Sequence, residues 1–436
     1  MPTQETKKYT KKEIIHAWCM YDWGSSAFST TVEAAVLPVY FGDIAKGILQ
    51  DNIATAYWGY ANSISLFIAA LLSPILGSLA DYTGSKKKLL GIFAALGILA
   101  TALLVTVNTG DWLLALILFI IGSLSLGASY IFYDALLGHI TQPEERDYVS
   151  SKGYALGYLG GGILLAINIA MIWFLEVDNW GTRLSFLSVA FWWALFTIPL
   201  LKRLPEPPSN TGGIAEGINP IAASFQRLKG TFGELRKYQE LFKFLLAFWL
   251  YNDGIGTIIK MSTIYGREVG IGTLHLVGAL LLTQFVGIPF ALLFGKFSNK
   301  IGTKRSIMIG LSWYALLTIA AYFMSRPWHF WALAFSVGMV QGGTQALSRS
   351  LYSQMAPKAR SAEFFGFYDV SSKFSGIVGP LLFGVVSQLA GESRLSIVSI
   401  IVFFLFGIIL LNRVDEKEGI RVAEKENARV EQLATA

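Results

Sequence analysis

Cysteine is almost absent: Cys19 is the only one in 436 residues. An intrachain disulfide is excluded, and a thiolate metal site has too few ligands. Charge is scarce too. Asp, Glu, Lys and Arg make up 15% of the chain, against about 25% in an ordinary soluble domain. Histidine occurs four times, and His139 and His275 have no second ligand at metal spacing. No Gly-x-x-x-x-Gly-Lys-Ser/Thr stretch occurs, so this chain is not expected to draw on ATP. No serine, histidine and acid set stands in a hydrolase context. The expectation is a protein without metal, cofactor or catalytic residues, and not an enzyme.

Apolar residues fill the space that charge leaves. They make up 53% of the chain, and mean hydropathy is +0.51. A membrane helix needs roughly 20 apolar residues to cross about 30 Å. Twelve such runs are read, at about 14–41, 54–80, 88–107, 112–138, 150–175, 183–201, 241–266, 272–296, 305–325, 328–352, 362–390 and 394–412. The expected fold class is an all-α polytopic membrane protein embedded in a lipid bilayer. The N-terminal segment is polar and lysine-rich, and the run after it is too long for a signal peptide.

The net charge of +6 points to topology rather than to nucleic acid, because the basic residues sit in short connections. With the N-terminus inside, the outer connections hold only Lys46, Arg183, Arg267, Arg326 and Arg394 of the 35. The excess of positive charge then places both termini in the cytoplasm, with a bacterial cytoplasmic membrane as the expected location.

The connector 202–240 opens with Pro205, Pro207 and Pro208 and continues with Gly212 and Gly213, which is linker chemistry. Its second part, with Arg227, Lys229, Arg236 and Lys237 among apolar residues, has the makings of a surface helix. The expected organisation is 1–201, 202–240 as cytoplasmic linker, 241–412, and a charged tail, 413–436, disordered or loosely helical.

One stretch occurs twice. Gly77-Ser-Leu-Ala-Asp-Tyr-Thr-Gly-Ser-Lys-Lys-Lys88 is followed far down the chain by Gly295-Lys-Phe-Ser-Asn-Lys-Ile-Gly-Thr-Lys-Arg305. Gly77 and Gly295 permit close helix approach. Gly84 and Gly302 supply a turn residue where positive φ is cheap. Lys87, Lys304 and Arg305 hold the turn at the cytoplasmic surface. The duplicated turn resembles the signature loop of the major facilitator superfamily. Asn299 stands where the first copy has Asp81, so a charge-based latch is expected to be weaker in the second half.

Other repeats agree. Tyr21-Asp-Trp-Gly24 aligns with Tyr251-Asn-Asp-Gly254, and Pro143-Glu-Glu-Arg146 before Gly153 aligns with Pro357-Lys-Ala-Arg360 before Gly366. Two six-helix halves of the same orientation imply parallel repeats with a site where they meet.

Charge inside a span costs at least about 2.5–3.5 kcal/mol, so it faces a cavity or a partner. In the first run, Asp22, Ser26, Ser29 and Glu33 share one helical stripe. In the seventh, Asn252 is followed by the stripe Asp253, Thr257 and Lys260. The fourth carries Ser123, Gly127, Tyr130 and Asp134, and the tenth Gln341, Gln345 and Arg349. Asp22 and Asp253 read as proton-coupling carboxylates or as satisfied structural ones. Glu33 and Lys260 either line the cavity or snorkel to the interface. Asp134 and Arg349 are an inner-gate pair or rim charges. Asp369 and Lys373, four apart, read as a local pair. The Gly-rich stretch 153–162 reads as a close helix–helix contact.

Trp18-Cys-Met-Tyr-Asp-Trp-Gly-Ser-Ser-Ala-Phe28, Tyr251-Asn-Asp-Gly254, Gly343-Thr-Gln-Ala-Leu-Ser-Arg-Ser350 and Glu363-Phe-Phe-Gly-Phe-Tyr-Asp369 carry a narrower resemblance. With Pro143–Arg146 and Gly153-Tyr-Ala-Leu-Gly157, they resemble the vacuole-effluxer-like family, whose fungal members are autophagy-related amino-acid exporters. The resemblance covers about 13–412. It implies a twelve-helix, alternating-access secondary transporter, expected as a monomer. The inherited substrate is an amino acid or a similar small polar metabolite, moved outward in exchange for protons or another coupling ion. A lipid flippase and a multidrug exporter of the same fold stand as alternatives.

Overall fold

The computed structural model describes residues 9–141, 143–175, 177–206, 238–356, 368, 371, 372 and 374–435. The linker residues 207–237, together with Pro357–Arg360, Gly366, Asp369 and Lys373, lie outside the described residues. Apart from an isolated bridge between Lys46 and Leu49, the described residues form helices and turns. The chain resolves into two compact units. One is Met1–Ala54 with Ile64–Ser224, and the other is Thr55–Ser63 with Phe225–Ala436.

Unit 1 begins with α1 (Lys11–Ala27). Its start is set by a capping box in which Thr10 and Glu13 satisfy each other's backbone N–H groups. The helix widens into a π-helical stretch, Phe28–Ala35, and continues as α2 (Val36–Ala45). Then follow α3 (Asp51–Thr83), α4 (Lys86–Leu103), α5 (Trp112–Ile140), α6 (Pro143–Phe174) and α7 (Trp180–Arg203). Helix α1 packs on α6 through small residues. A Cβ on Gly153 would meet Trp18 at 2.9 Å, and one on Gly157 would meet Ser26 Oγ at 2.6 Å. That is the close contact expected of the Gly-rich stretch. Trp18, Phe28, Phe132 and Trp193 are fully buried around it.

Unit 2 contains α8 (Gln239–Glu268), α9 (Thr273–Ile301), α10 (Thr303–Tyr322), α11 (Pro327–Met355), α12 (Val378–Ala390), α13 (Arg394–Ser399) and α14 (Ile401–Asn412). The repeat reappears in its packing. Gly24 on α1 lies against Phe196 of α7, and Gly254 on α8 lies against Phe403 and Phe404 of α14. In each unit a glycine one turn past the buried tyrosine lets the unit's first long helix approach its last span.

Among the described residues, five stretches are long and apolar enough to cross a bilayer by length and composition. They are Lys86–Thr106, Trp112–Leu137, Ala155–Phe174, Val177–Arg203 and Arg394–Asn412. Large apolar side chains also cover the outside: Phe174 is 80% exposed and Leu389 83%. Such a surface suits lipid and not water, and helices keep their backbone polar groups satisfied within the segment.

The tail takes the helical one of its two expected forms. Glu416–Thr435 form a helix, α15, and Asp415 caps its start by accepting the N–H of Glu418 at 3.1 Å. It docks on unit 2, with Gly419 against Met355 and with Ala423 buried. The charged tail sequence allowed a disordered or a loosely helical segment; the small residues Gly419 and Ala423, one turn apart, form the contact stripe of the helix.

Candidate functional site

In unit 1 the helical stripes bring three expected residues together. Asp22 on α1 is 5% exposed. Its Oδ1 accepts from Tyr130 at 2.8 Å and from Ser26 at 3.2 Å. Ser26 follows Asp22 by one turn, and Tyr130 comes from the facing stripe of α5. Ser25 Oγ lies 3.0 Å from the Tyr130 hydroxyl. Among the described residues, both hydrogen bonds to the carboxylate fall on Oδ1. Glycine at 157 is what admits the cluster, because a Cβ there would sit 3.2 Å from the Asp22 carboxyl carbon. Around it, Tyr21 donates to Ser129 at 2.5 Å, and the Trp18 ring stacks on Tyr133 with centroids 4.1 Å apart.

Glu33 and Asp134 lie further along the same two elements. Glu33 is half-buried in the π-helical stretch. Asp134 is exposed one turn beyond Tyr130.

Unit 2 treats its carboxylate differently. Asp253 on α8 is 3% exposed. Oδ2 accepts the backbone N–H of Val378 at 3.1 Å, and Oδ1 accepts that of Gly379 at 2.9 Å. These are the first two residues of α12, so Asp253 caps a helix that starts in mid-span. A carboxylate suits that place, since the N–H groups have no partner within the helix and the dipole end is positive. The break is held on its other side too. Asn252 donates to Ser375 at 2.5 Å, and Ser63 donates to the Ile377 carbonyl at 2.8 Å. Lys260 and Gln345 are half-buried in this unit, and Arg349 is exposed.

The repeat is legible at side-chain level. Tyr251 donates to Ser348 at 2.7 Å, as Tyr21 does to Ser129, each tyrosine preceding the acidic or amide position.

At the turns, Gly84 is left-handed (φ 62°, ψ 21°) and Gly302 also has positive φ (96°). Gly77 and Asp81 fall within α3, and Gly295 and Asn299 within α9; their side chains lie outside the described set. Arg305 is exposed. Lys87 and Lys304 are engaged with main-chain carbonyls.

Two residues escaped the sequence reading. Glu268, at the end of α8, accepts from Thr55 Oγ1 at 2.6 Å, from Ser393 N at 3.0 Å and from Ser393 Oγ at 2.6 Å. It thereby ties Thr55–Ser63 into unit 2. Asn168, fully buried on α6, donates to Thr31 in the π-helical stretch at 3.1 Å and accepts from Ser188 at 2.8 Å. A buried amide inside an apolar run was the available signal for Asn168.

Among the described residues, no group of three or more His, Cys, Asp or Glu side chains is placed to hold a metal ion.

The family described as Vacuole effluxer Atg22 like matches residues 51–424. An uncharacterized MFS-type transporter, YxiO of Bacillus subtilis (strain 168), is 39% identical over 97% of this chain and 99% of its own. Autophagy-related protein 22 of Pyricularia oryzae is 23% identical over 90% of this chain and 74% of its own. Among solved structures, the D-xylose-proton symporter has a TM-score of 0.65 at 16% identity, covering 94% of this chain and 98% of its own. The nucleoside transporter NupG has a TM-score of 0.61 at 14% identity, covering 92% and 97%. Sequence and fold converge: the chain belongs to the Atg22-like vacuole effluxer family, and it is a transporter of the major facilitator type rather than an enzyme.

Proposed function

We propose that the chain is a secondary transporter that works by alternating access and exports amino acids or similar small polar metabolites in exchange for protons. The observation that carries this reading is the Asp22 carboxylate. It is almost wholly buried, and its hydrogen bonds to Tyr130 and Ser26 both fall on one oxygen. The other oxygen is left to take a proton or the ammonium group of a cargo. A carboxylate buried in that state is costly unless it is used. Asp253, by contrast, spends both oxygens on the start of α12 and serves to hold the site's shape. Asn252, Lys260, Gln345 and Glu33 supply further polar groups for a zwitterionic cargo. Asp134 and Arg349 act at the gate on the side of the turns. The protein works as a monomer in a bacterial cytoplasmic membrane, with both termini in the cytoplasm.

The test is counterflow in proteoliposomes loaded with a defined amino-acid and metabolite mixture and read by mass spectrometry. At least one amino acid exchanges with the wild-type chain. Asp22→Asn abolishes proton-driven transport, while counterflow, which needs no net proton movement, survives. Loss of neither in Asp22→Asn refutes the coupling role, and exchange confined to lipids or apolar drugs refutes the cargo class.

A further inference from the structure

Each unit bolts its signature turn to the exit of its own last span. In unit 1, Lys87 Nζ donates to the carbonyl of Leu204 at 2.9 Å, and Leu204 caps the end of α7. The Lys87 backbone N–H donates to Glu206 Oε1 at 2.8 Å. In unit 2, Lys304 Nζ donates to the carbonyls of Asn412 at 2.8 Å and Val414 at 2.7 Å. Asn412 ends α14, and Val414 leads into α15.

The last carbonyls of a helix have no partner within it and carry the negative end of the dipole. An ammonium group is the natural ligand for them, and its charge strengthens the bond. Leu204 and Val414 are each 2% exposed, so each helix exit is packed against its unit, while both lysines stay partly open to solvent.

The two lysines are not at aligned positions. With Gly84 matched to Gly302, Lys304 corresponds to Lys86, whose ammonium instead lies 3.0 Å from His139 Nε2. The turns explain the slip. Gly84 is left-handed and Ser85 precedes α4, whereas Gly302 directly precedes α10. The helix therefore starts one residue later after the first turn. In both cases the second residue of the new helix is the lysine that reaches the last span. Two different turn geometries thus arrive at one contact, which the positive charge needed for topology alone does not require.

We propose that Lys87 and Lys304 are positioning residues for transport: each fastens the signature turn to the end of the last span, so that the six spans of its unit move as one body. This rests on the transporter reading of the family, not on the identity of the cargo.

The experiment uses the full-length chain with Cys19→Ala, so that spin labels report only introduced sites. Labels at positions 88 and 202 read unit 1, and labels at 305 and 413 read unit 2. Lys87→Met broadens the distance distribution in unit 1 alone, and Lys304→Met in unit 2 alone. Lys87→Arg and Lys304→Arg restore the narrow distributions, because a guanidinium also donates to carbonyls. This arm needs no cargo, so it is decided even if no amino acid is carried. For any amino acid that the wild type exchanges from an equimolar proteinogenic mixture, each Met variant lowers turnover about tenfold with half-saturation unchanged. Should a Met variant fail to fold, the Leu variant at the same position, which also lacks a donor, replaces it in both arms. Unbroadened distances in the Met or Leu variants, or Arg variants as broad as Met, overturn the proposal. So does a loss in transport that appears as half-saturation rather than turnover.

Discussion

Asp253 accepts the backbone N–H of Gly379 at 2.9 Å, across 126 residues of sequence, and so starts a helix in the interior of unit 2. With the Val378 bond, the carboxylate satisfies two donors that would otherwise be buried and unpaired. Bonds to a charged group contribute about 1.5–3 kcal/mol each. Asp253→Ala is expected to cost about 3 kcal/mol and Asp253→Asn about half of that, since an amide keeps one acceptor oxygen. Asp22→Asn should be far milder, because Tyr130 and Ser26 can still donate to the amide oxygen. Thermal unfolding in detergent checks the ranking. Hydrogen exchange at Val378, Gly379 and Leu381 should rise in the Asp253 variants and stay level in Asp22→Asn.

Glu268 gathers Thr55 and Ser393 on one carboxylate. Around it, Gly59 lies so close to Pro380 that a Cβ there would be 2.5 Å from its carbonyl oxygen, and Tyr60 donates to Gln388 at 2.7 Å. The segment Thr55–Ser63 is thus held by close packing, with Glu268 as its charged end. Glu268→Gln removes the charge and turns the oxygen that takes the two hydroxyls into an NH2 donor, so the Thr55 and Ser393 hydroxyls must turn to accept. The expected cost is about 1.5 kcal/mol. Amides 55–60 should exchange faster, while those of α5 keep their protection. Equal protection in both segments would sink the assignment.

Gly157 makes room for Asp22 and Ser26. A Cβ at 2.6 Å from Ser26 Oγ must displace the hydroxyl, and a branched side chain must push α1 from α6. Overpacking of this kind costs about 1–3 kcal/mol. Gly157→Val is expected to lower the unfolding midpoint and to reduce transport. Gly162, which has open space beyond its Cα, should tolerate alanine without loss of either.

How much of this was legible beforehand depended on the range of the signal. The Asp22–Ser26–Tyr130 cluster was readable because each partner lies on a local helical stripe. The Tyr21–Ser129 and Tyr251–Ser348 bonds follow from a repeat visible in the tyrosine motifs, although nothing local named the serines. The π-helical stretch Phe28–Ala35 left no mark in the sequence, because a stripe drawn at 3.6 residues per turn assumes an unbroken α-helix. Glu268 gave no signal: its partner Thr55 is 213 residues away, and no periodicity connects them. The role of Asp253 was hidden for a related reason. A helix that begins inside an apolar run leaves no polar boundary in the sequence to mark its start.

The docked tail makes a fourth prediction. Asp415 donates its backbone N–H to Glu240 at 2.6 Å, and a Cβ on Gly419 would meet Met355 Sδ at 2.7 Å. Gly419→Leu is expected to lift α15 off α8 and α11. Limited proteolysis should then cut within 416–435 while the rest of unit 2 stays intact. Arg421→Ala should leave the cleavage pattern unchanged, because its bidentate bond to Glu418 lies within the helix's own exposed face.

The start of α1 supplies a pH dependence. Glu13 accepts the Thr10 backbone N–H at 2.8 Å and the Thr10 hydroxyl at 2.8 Å, and these bonds hold its carboxyl below the usual value of 4.5. A carboxylate whose folded pKa is depressed adds stability that is present above its unfolded pKa. That stability is lost as pH falls through the lower, folded value. The capping box is therefore intact at neutral pH, begins to weaken below about pH 4.5 and is lost below the folded pKa. Hydrogen exchange at Glu13 and Ile14, corrected for its intrinsic pH dependence, should show the first turn of α1 fraying in that acid range and no higher. Glu13→Gln should fray at all pH values and lose the transition. Thr10→Ala should fray the first turn at neutral pH but keep a weaker acid transition, because it removes the hydroxyl that donates to Glu13 and accepts the Glu13 N–H while the backbone N–H at position 10 still donates to Glu13. A transition that persists in Glu13→Gln would assign it to another group near the first turn.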